Sequence, residues 1–268
     1  MKLIDNASEF TKTIVFGGAK TGKTRIAGRL AQHYKLKYID GEKGIKTLLS
    51  PDNLDPKYRD NVELFSLPDD GENAVMFTSA YRMLRAKTPT LICDAHGRYD
   101  CPDCIKAKAP MTLFSSFVNP NPDEITIIDS GTQLTTSCIA YVTRGKPENY
   151  QLQLQDWGQV KMYMEALLSS IQNAKANVIF ITHESIEEFD DGKKRIVPVC
   201  GSSKFSITVS KYFDNVVYCD MLGKNFRYSS SSGGVPSVVT GSRTNAKTEL
   251  ATDKLYTPLQ LLYTKGIT

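Results

Sequence analysis

An α/β fold, with a mostly parallel β-sheet flanked by helices, is what this sequence predicts, and three observations carry the prediction. The first is an apolar run that feeds a glycine-rich loop and then a helix, Thr13-Ile-Val-Phe-Gly-Gly-Ala-Lys-Thr-Gly-Lys-Thr-Arg25. The second is a pair of β-branched, apolar segments, Glu124–Asp129 and Ala176–His183, each ending in a polar residue. Continuous apolar runs of this kind are strands buried on both faces. The third is the alternation of strand-like and helix-like segments, the rhythm of strands joined by crossover helices.

Taken in order, residues 1–12 are a polar lead-in, and the glycine-rich loop opens a helix from about Lys23 to His33. Ile26, Ala27 and Leu30 recur there at helical spacing. Leu36-Lys-Tyr-Ile-Asp-Gly-Glu42 reads as a short strand ending in Asp40 and Glu42. Residues 50–60, rich in Pro, Asp and Asn, read as a loop. Val62–Ser66 is a strand, and Ala74–Arg85 a helix with Val75, Phe77, Ala80, Met83 and Leu84 for its buried face. Asn119-Pro-Asn-Pro122 marks a loop before the strand that ends in Asp129. Ser130-Gly131 is expected to free the chain, and the polar stretch beyond it centres on Arg144-Gly-Lys-Pro147. Asp156–Asn173 is helical, with Val160, Tyr163, Met164, Leu167, Leu168 and Ile171 on one face. After the strand ending at His183, Glu184–Pro198 is a charged loop or hairpin. Phe213–Leu222 and Pro236–Gly241 read as strands, with a flexible turn over Ser229–Gly234 and a polar loop from Arg243 to Lys247.

The composition bounds the function. With 268 residues, 41% hydrophobic and 23% charged, the chain can bury a full core and reads as a single domain over residues 1–268. A net charge of +4 permits a nucleic-acid partner but requires any such site to be a local basic patch. No apolar run approaches a membrane span and no signal peptide opens the chain, so a cytoplasmic setting is expected. Six cysteines without a secretory signal read as thiols or metal ligands.

The loop itself carries the chemistry. Gly17, Gly22, Lys23 and Thr24 fit G-x-x-x-x-G-K-[ST], the phosphate-binding P-loop, in its strand-to-helix context. Successive N–H groups from Gly17, Gly18, Ala19, Lys20, Thr21 and Gly22, with the helix N-terminus at Lys23, Thr24 and Arg25, suit a nucleoside triphosphate. Lys23 neutralises the terminal phosphates and the Thr24 hydroxyl ligates Mg²⁺. Asp129, at the end of a buried strand, is the natural second contact to that ion. Glu42 is placed to polarise the attacking water, or is a solvated loop carboxylate; the spacing leaves both open. His183 at its strand end either touches the γ-phosphate or is an ordinary hydrogen-bonded histidine.

A second constellation stands apart. Cys93-x₂-His96-x₄-Cys101-x₂-Cys104 offers four ligands in two close pairs, as structural Zn²⁺ requires, within an insertion at residues 91–105. A closed four-ligand site leaves no position for catalysis, so its role is structural or for docking. Cys138, Cys200 and Cys219 fall in predicted elements and read as packed thiols.

Taken together, Gly17–Thr24, Tyr38-Ile-Asp-Gly-Glu42, Ile125-Thr-Ile-Ile-Asp129 and Ile179-Phe-Ile-Thr-His-Glu184 resemble the RecA-like ATPase core. The likeness extends to the short phage-type RecA-core ATPases of single-strand annealing and recombination. Asp156-Trp-Gly158, Tyr212-Phe-Asp-Asn-Val216 and Gly241-Ser-Arg243 share in it, over most of residues 13–247. The resemblance implies ATP as the nucleotide, Glu42 as catalytic glutamate, and His183 as γ-phosphate sensor. It implies Arg243 and Lys247 as cations reaching a neighbouring subunit's nucleotide, and hence a homo-oligomer, ring or filament. It also implies single-stranded DNA held by the loops after the Asp129 and His183 strands, with a single-stranded-DNA-binding protein as a further partner in the host cytoplasm. Those loops offer Arg144 and Lys146 in one, and Lys193, Lys194, Arg195 and Lys204 in the other, with Tyr150 or Phe205 for base stacking. Two other readings stay open: a nucleotide-gated annealing module with little turnover, and a phosphotransferase that ignores DNA. The absence of an Asn-Lys-x-Asp tetrapeptide disfavours a GTPase.

Overall fold

Strand β1, Lys12–Gly17, is buried along its whole length and delivers the chain into the P-loop. We describe it and the rest of the chain from a computed structural model, over residues 10–71, 73–230 and 237–243. Helix α1, Lys23–Gly28, is shorter than its apolar spacing predicts, because the chain tightens into a 3₁₀ turn at Arg29–Gln32. Strand β2, Lys35–Asp40, stops before Glu42, and β3 spans Val62–Ser66 as expected. Residues 50–60 are not wholly irregular: 3₁₀ turns occupy Gly44–Leu49 and Pro56–Asn61, the second capped by the Asp55 carboxylate on the Lys57 N–H. Helix α2, Val75–Met83, follows.

The insertion is a small structure of its own. Strand β4, Thr90–Cys93, pairs antiparallel with β5, Met111–Phe114, across helix α3, Pro102–Ala107. Strand β6, Glu124–Asp129, then returns the chain to the main sheet.

One expectation fails directly after it. The polar stretch beyond Asp129 is not open chain but helix α4, Gly131–Thr143, whose N-terminus Ser130 caps by accepting the Gln133 N–H. Five Ser and Thr residues mask its period, yet Leu134 and Cys138 are buried and Tyr141 packs on the core. Helix α5, Leu154–Asn173, opens with a capping box between Gln153 and Asp156. Strand β7, Asn177–Thr182, is followed by a hairpin of β8, Glu184–Glu188, and β9, Lys194–Pro198. A one-turn helix α6, Ser203–Ser206, precedes β10, Asn215–Leu222. The hairpin partner β11, Asn225–Ser229, goes beyond what the sequence predicts; Arg227 pairs across it with Asp220. Of the strand expected at Pro236–Gly241, the described residues keep a bridge from Val238 to Ile196, and a two-residue β12, Gly241–Ser242, on β10.

The main sheet runs β11-β10-β1-β7-β6-β2-β3, with β12 also on β10. Every pair from β10 to β3 is parallel, and only β11 and β12 are antiparallel. Alternate residues face two cores. Ile14, Phe16, Ile128 and Phe180 pack with α2, α4 and α5, whereas Val15, Tyr38, Ile127 and Ile179 pack with α1. Strand β7 lies between the P-loop strand and the Asp129 strand, so the two are two strands apart at one edge. This is the RecA-like P-loop ATPase fold, a mostly parallel sheet covered by helices. Among the described residues, no helix is long and apolar enough to cross a membrane.

Candidate nucleotide site and metal-binding knuckle

Register brings the site together. Asp40, Asp129, Ile181 and Val15 pair in one row across β2, β6, β7 and β1, so Gly17, Glu42 and His183 emerge just beyond them at one edge. Ligands collect at that carboxyl edge of open parallel sheets. Gly22 opens α1 from a left-handed conformation at φ 84°, and a Cβ on Gly17 would sit 2.0 Å from the Cys219 carbonyl. Both positions therefore demand glycine. The loop borders a cleft of about 380 Å³, the size range of small-ligand sites, walled by Lys20, Lys23, Glu42, Asp129, His183 and Phe226 among others.

Lys23 Nζ donates to the Gly17 and Gly18 carbonyls at 2.9 and 2.6 Å. Burial draws its pKa below the usual value, opposed by Cys219 and by the carboxylates of Asp129, Glu42 and Glu184. Asp129 is buried and accepts two hydroxyls on Oδ2, from Thr24 at 2.8 Å and Tyr38 at 2.5 Å. Burial lifts its pKa to about 6, and the Tyr38 and Thr24 bonds hold it from rising further. A hydroxyl and a carboxylate already in contact at the cleft fit the oxygen donor set of Mg²⁺.

Glu42 stands beside this pair because Asp40 makes it so. The Asp40 carboxylate accepts the N–H groups of Glu42, Gly44 and Ile45, folding the chain sharply after β2. Glu42 Oε1 then accepts the Ser130 hydroxyl, and Oε2 lies 3.7 Å from His183 Nε2. The His183 N–H donates to Thr132 Oγ1 at 3.0 Å, while its carbonyl accepts the Val199 N–H where β9 ends. Glu42 and His183, left open by the spacing, are thus in contact at the mouth of the cleft. Tyr38, Asp40, Ser130 and Phe226 belong to the same arrangement, and sequence reasoning misses all four as site residues. A tyrosine and an aspartate inside a buried strand are the sequence signals for the first two. Arg25 lies over the Phe226 ring at 5.0 Å, so α1 and β11 meet beside the loop.

The remaining candidates do not gather here. Arg243 is tied to the opposite end of the sheet: its N–H donates to the Asp214 carbonyl at 2.8 Å and its guanidinium to that of Lys211 at 3.0 Å. Lys247 lies outside the described residues. Arg144 and Lys146 stand at and beyond the far end of α4, not in a loop directly after Asp129. On the β8–β9 hairpin, Lys194 pairs with Glu188 and Arg195 with Glu187, and Arg195 also makes an ion pair with Asp191. With Lys193 at the turn, that patch is charge-balanced. Lys204 is exposed on α6, but Phe205 is buried, which removes it as a stacking platform.

Four side chains do converge in the insertion. The ligand atoms of Cys93, His96, Cys101 and Cys104 lie within 4.8 Å of one another. His96 Nδ1 is 3.9, 3.5 and 3.3 Å from the three sulfurs in that order. A tetrahedron with Zn–S near 2.3 Å has edges of about 3.8 Å, so the cluster can hold zinc. The knuckle is seated on the main sheet: a Cβ on Gly97 would fall 2.2 Å from the Ser66 carbonyl at the end of β3. Cys138, Cys200 and Cys219 are buried thiols, and burial pushes the first two up to about 12.

No curated protein matches the chain. Among solved structures, the ATPase domain of a replicative helicase aligns at a TM-score of 0.42 and 12% identity, over 91% of this chain and 80% of that one. A prototypical ATPase from the type III secretion system of pathogenic bacteria aligns at 0.46 and 12%, over 78% of this chain and 52% of that one. Residues 9–249 match a family described as the AAA domain. With the P-loop and its acidic partner at one edge of the sheet, and that match across most of its length, the chain belongs to the AAA domain family of P-loop ATPases.

Proposed function

We propose that the protein is a Mg²⁺-dependent ATPase that works on single-stranded DNA as a homo-oligomer, in recombination or annealing of the phage type. The observation that carries the ATPase chemistry is the contact of Glu42 with Ser130 and His183 beside the Thr24–Asp129 pair. Lys23 and the loop N–H groups would bind the polyphosphate, and Thr24 with Asp129 would hold Mg²⁺, which supplies charge neutralisation. Glu42, held by the Ser130 hydroxyl, would accept the proton of the attacking water. His183 would report phosphate occupancy through its ring to Glu42 and through its carbonyl to β9 and the hairpin. Arg243 and Lys247 would act on the neighbouring subunit's nucleotide. We take residues 1–268 as one ATPase unit, with the insertion at 91–105 as its appendage. Support for DNA comes from the resemblance and from the cations around Arg144.

The test is ATP hydrolysis by the full chain, with and without single-stranded DNA, with oligomeric mass followed alongside. Stimulation by DNA is expected, together with a fall of about 100-fold or more in Glu42→Gln, the scale of a lost general base. A rate indifferent to DNA would remove the DNA reading and leave the ATPase. A rate indifferent to Glu42→Gln would remove Glu42 from the mechanism.

A further inference from the structure

The knuckle and the far end of α4 face each other across a groove that the nucleotide site does not use. Two adjoining hollows of about 290 and 480 Å³ share Ala140 and Arg144 as a common wall. Arg98 and Tyr99 of the knuckle line the first, with Tyr141 and Arg144; Lys146 and Tyr150 line the second. Cations and rings alternate. The Arg144 guanidinium lies 4.0 Å from the Tyr141 centroid, and Lys146 Nζ lies 5.1 Å from that of Tyr150. Tyr99 is 38% exposed. The acidic groups nearby are Asp70, ion-paired with Arg98, Glu148 on the second wall, and Asp156, which accepts the Tyr150 hydroxyl at 2.6 Å and caps α5.

We infer that this groove is a single-stranded nucleic-acid site and that the metal-binding knuckle is one of its walls. The choice of occupant rests on the DNA reading proposed above. Guanidinium and ammonium groups set among exposed aromatic faces match a chain of phosphates with unstacked bases between them. A duplex presents the phosphates but keeps its base faces stacked, so it cannot use Tyr99. The β8–β9 hairpin, whose cations are paired with carboxylates across the ladder, is the weaker surface by the same reasoning. The metal, by fixing Cys93 and Cys101 on either side of Arg98 and Tyr99, sets the position of that wall against α4.

The experiment is anisotropy of a fluorescein-labelled oligothymidylate with the full-length, zinc-loaded protein, titrated with salt. Arg144→Ala and Lys146→Ala should each weaken binding and each lower the log–log salt slope by about 0.7, the value for one phosphate contact on a single strand. Tyr99→Ala should weaken binding by about fivefold or more with the slope unchanged, and Tyr99→Phe should restore it. Zinc content and circular dichroism of each variant separate these effects from misfolding. Wild-type binding that survives all three alanine variants at the same affinity and slope overturns the groove and leaves the DNA reading standing. Failure of the wild type to bind at low salt removes the DNA reading and this occupant with it. Duplex DNA competing as well as oligothymidylate overturns the assignment to single strands.

Discussion

Asp129 is held by hydroxyls, not by cations, and that choice shapes the site. Its Oδ2 accepts both Tyr38 and Thr24, so the buried carboxylate is satisfied while remaining free of a competing positive partner. Tyr38 is fully buried in β2, on the α1 face of the sheet, and its hydroxyl has Asp129 as its acceptor. Removing that hydroxyl leaves a buried carboxylate with one donor fewer. Tyr38→Phe should therefore lower stability by about 1–2 kcal/mol, the range for a lost hydrogen bond to a buried charge. Urea unfolding measures it, and an unchanged midpoint would show that Tyr38 does not support Asp129. The direction of the acid is linked to the same bond. Tyr38 holds the Asp129 pKa down against burial, so the variant's carboxyl should titrate above about 6. This arrangement was only half legible in the sequence. The strand-end position of Asp129 is a pattern along the chain, but its hydroxyl partners come from β2 and α1, and no spacing reports a contact between residues 91 positions apart.

At the scale of elements, the strands were readable and the helix after Asp129 was not, for a physical reason. Strands β3 and β6 are bounded by loop residues and carry apolar runs, so their ends follow from composition. Helix α4 is built from Gly131-Thr-Gln-Leu-Thr-Thr-Ser-Cys, residues of modest helix propensity, and forms because Ser130 caps it and the core receives Leu134 and Cys138. Tertiary packing decides it, and a single sequence does not display packing. Gly131 has a role there opposite to the freedom first expected of it: it lets α4 lie directly on β7. A Cβ at Gly131 would fall 2.1 Å from Phe180 Cε1, and Phe180 is itself wedged against Phe213 at a centroid distance of 5.7 Å. Gly131→Ala should cost about 1–3 kcal/mol as overpacking. Gly158, exposed on α5 with nothing within 4 Å of its Cβ position, is the control. Gly158→Ala should stabilise by up to about 1 kcal/mol through helix propensity. Thermal or urea unfolding of the pair gives the two signs, and equal signs would mean that helix propensity, not the contact with Phe180, governs Gly131.

The whole molecule places a limit on Arg243 that no local reading supplies. It is anchored beside Asp214, which precedes β10, whereas the P-loop leaves the other end of β1. Thr13 pairs with Asn215 and Gly17 with Cys219, so the two ends are separated by four strand residues, about 13 Å at the usual rise. An arginine directed at Asp214 and the Lys211 carbonyl does not span that distance to its own chain's cleft. A role in hydrolysis must then be exercised on a neighbour, which requires a heterologous contact that brings one subunit's cleft to the next subunit's β10 end. Mixing two inactive chains distinguishes the cases. Lys23→Ala destroys the loop and keeps Arg243; Arg243→Ala keeps the loop and removes the finger. In a randomly mixed head-to-tail assembly about one interface in four joins an intact loop to an intact Arg243, so hydrolysis should recover to about a quarter of the wild-type rate. Each variant alone should stay near its own low rate. A mixture no more active than the average of its components would exclude Arg243 as a donor in trans, and the distance along β1 already argues against it in cis.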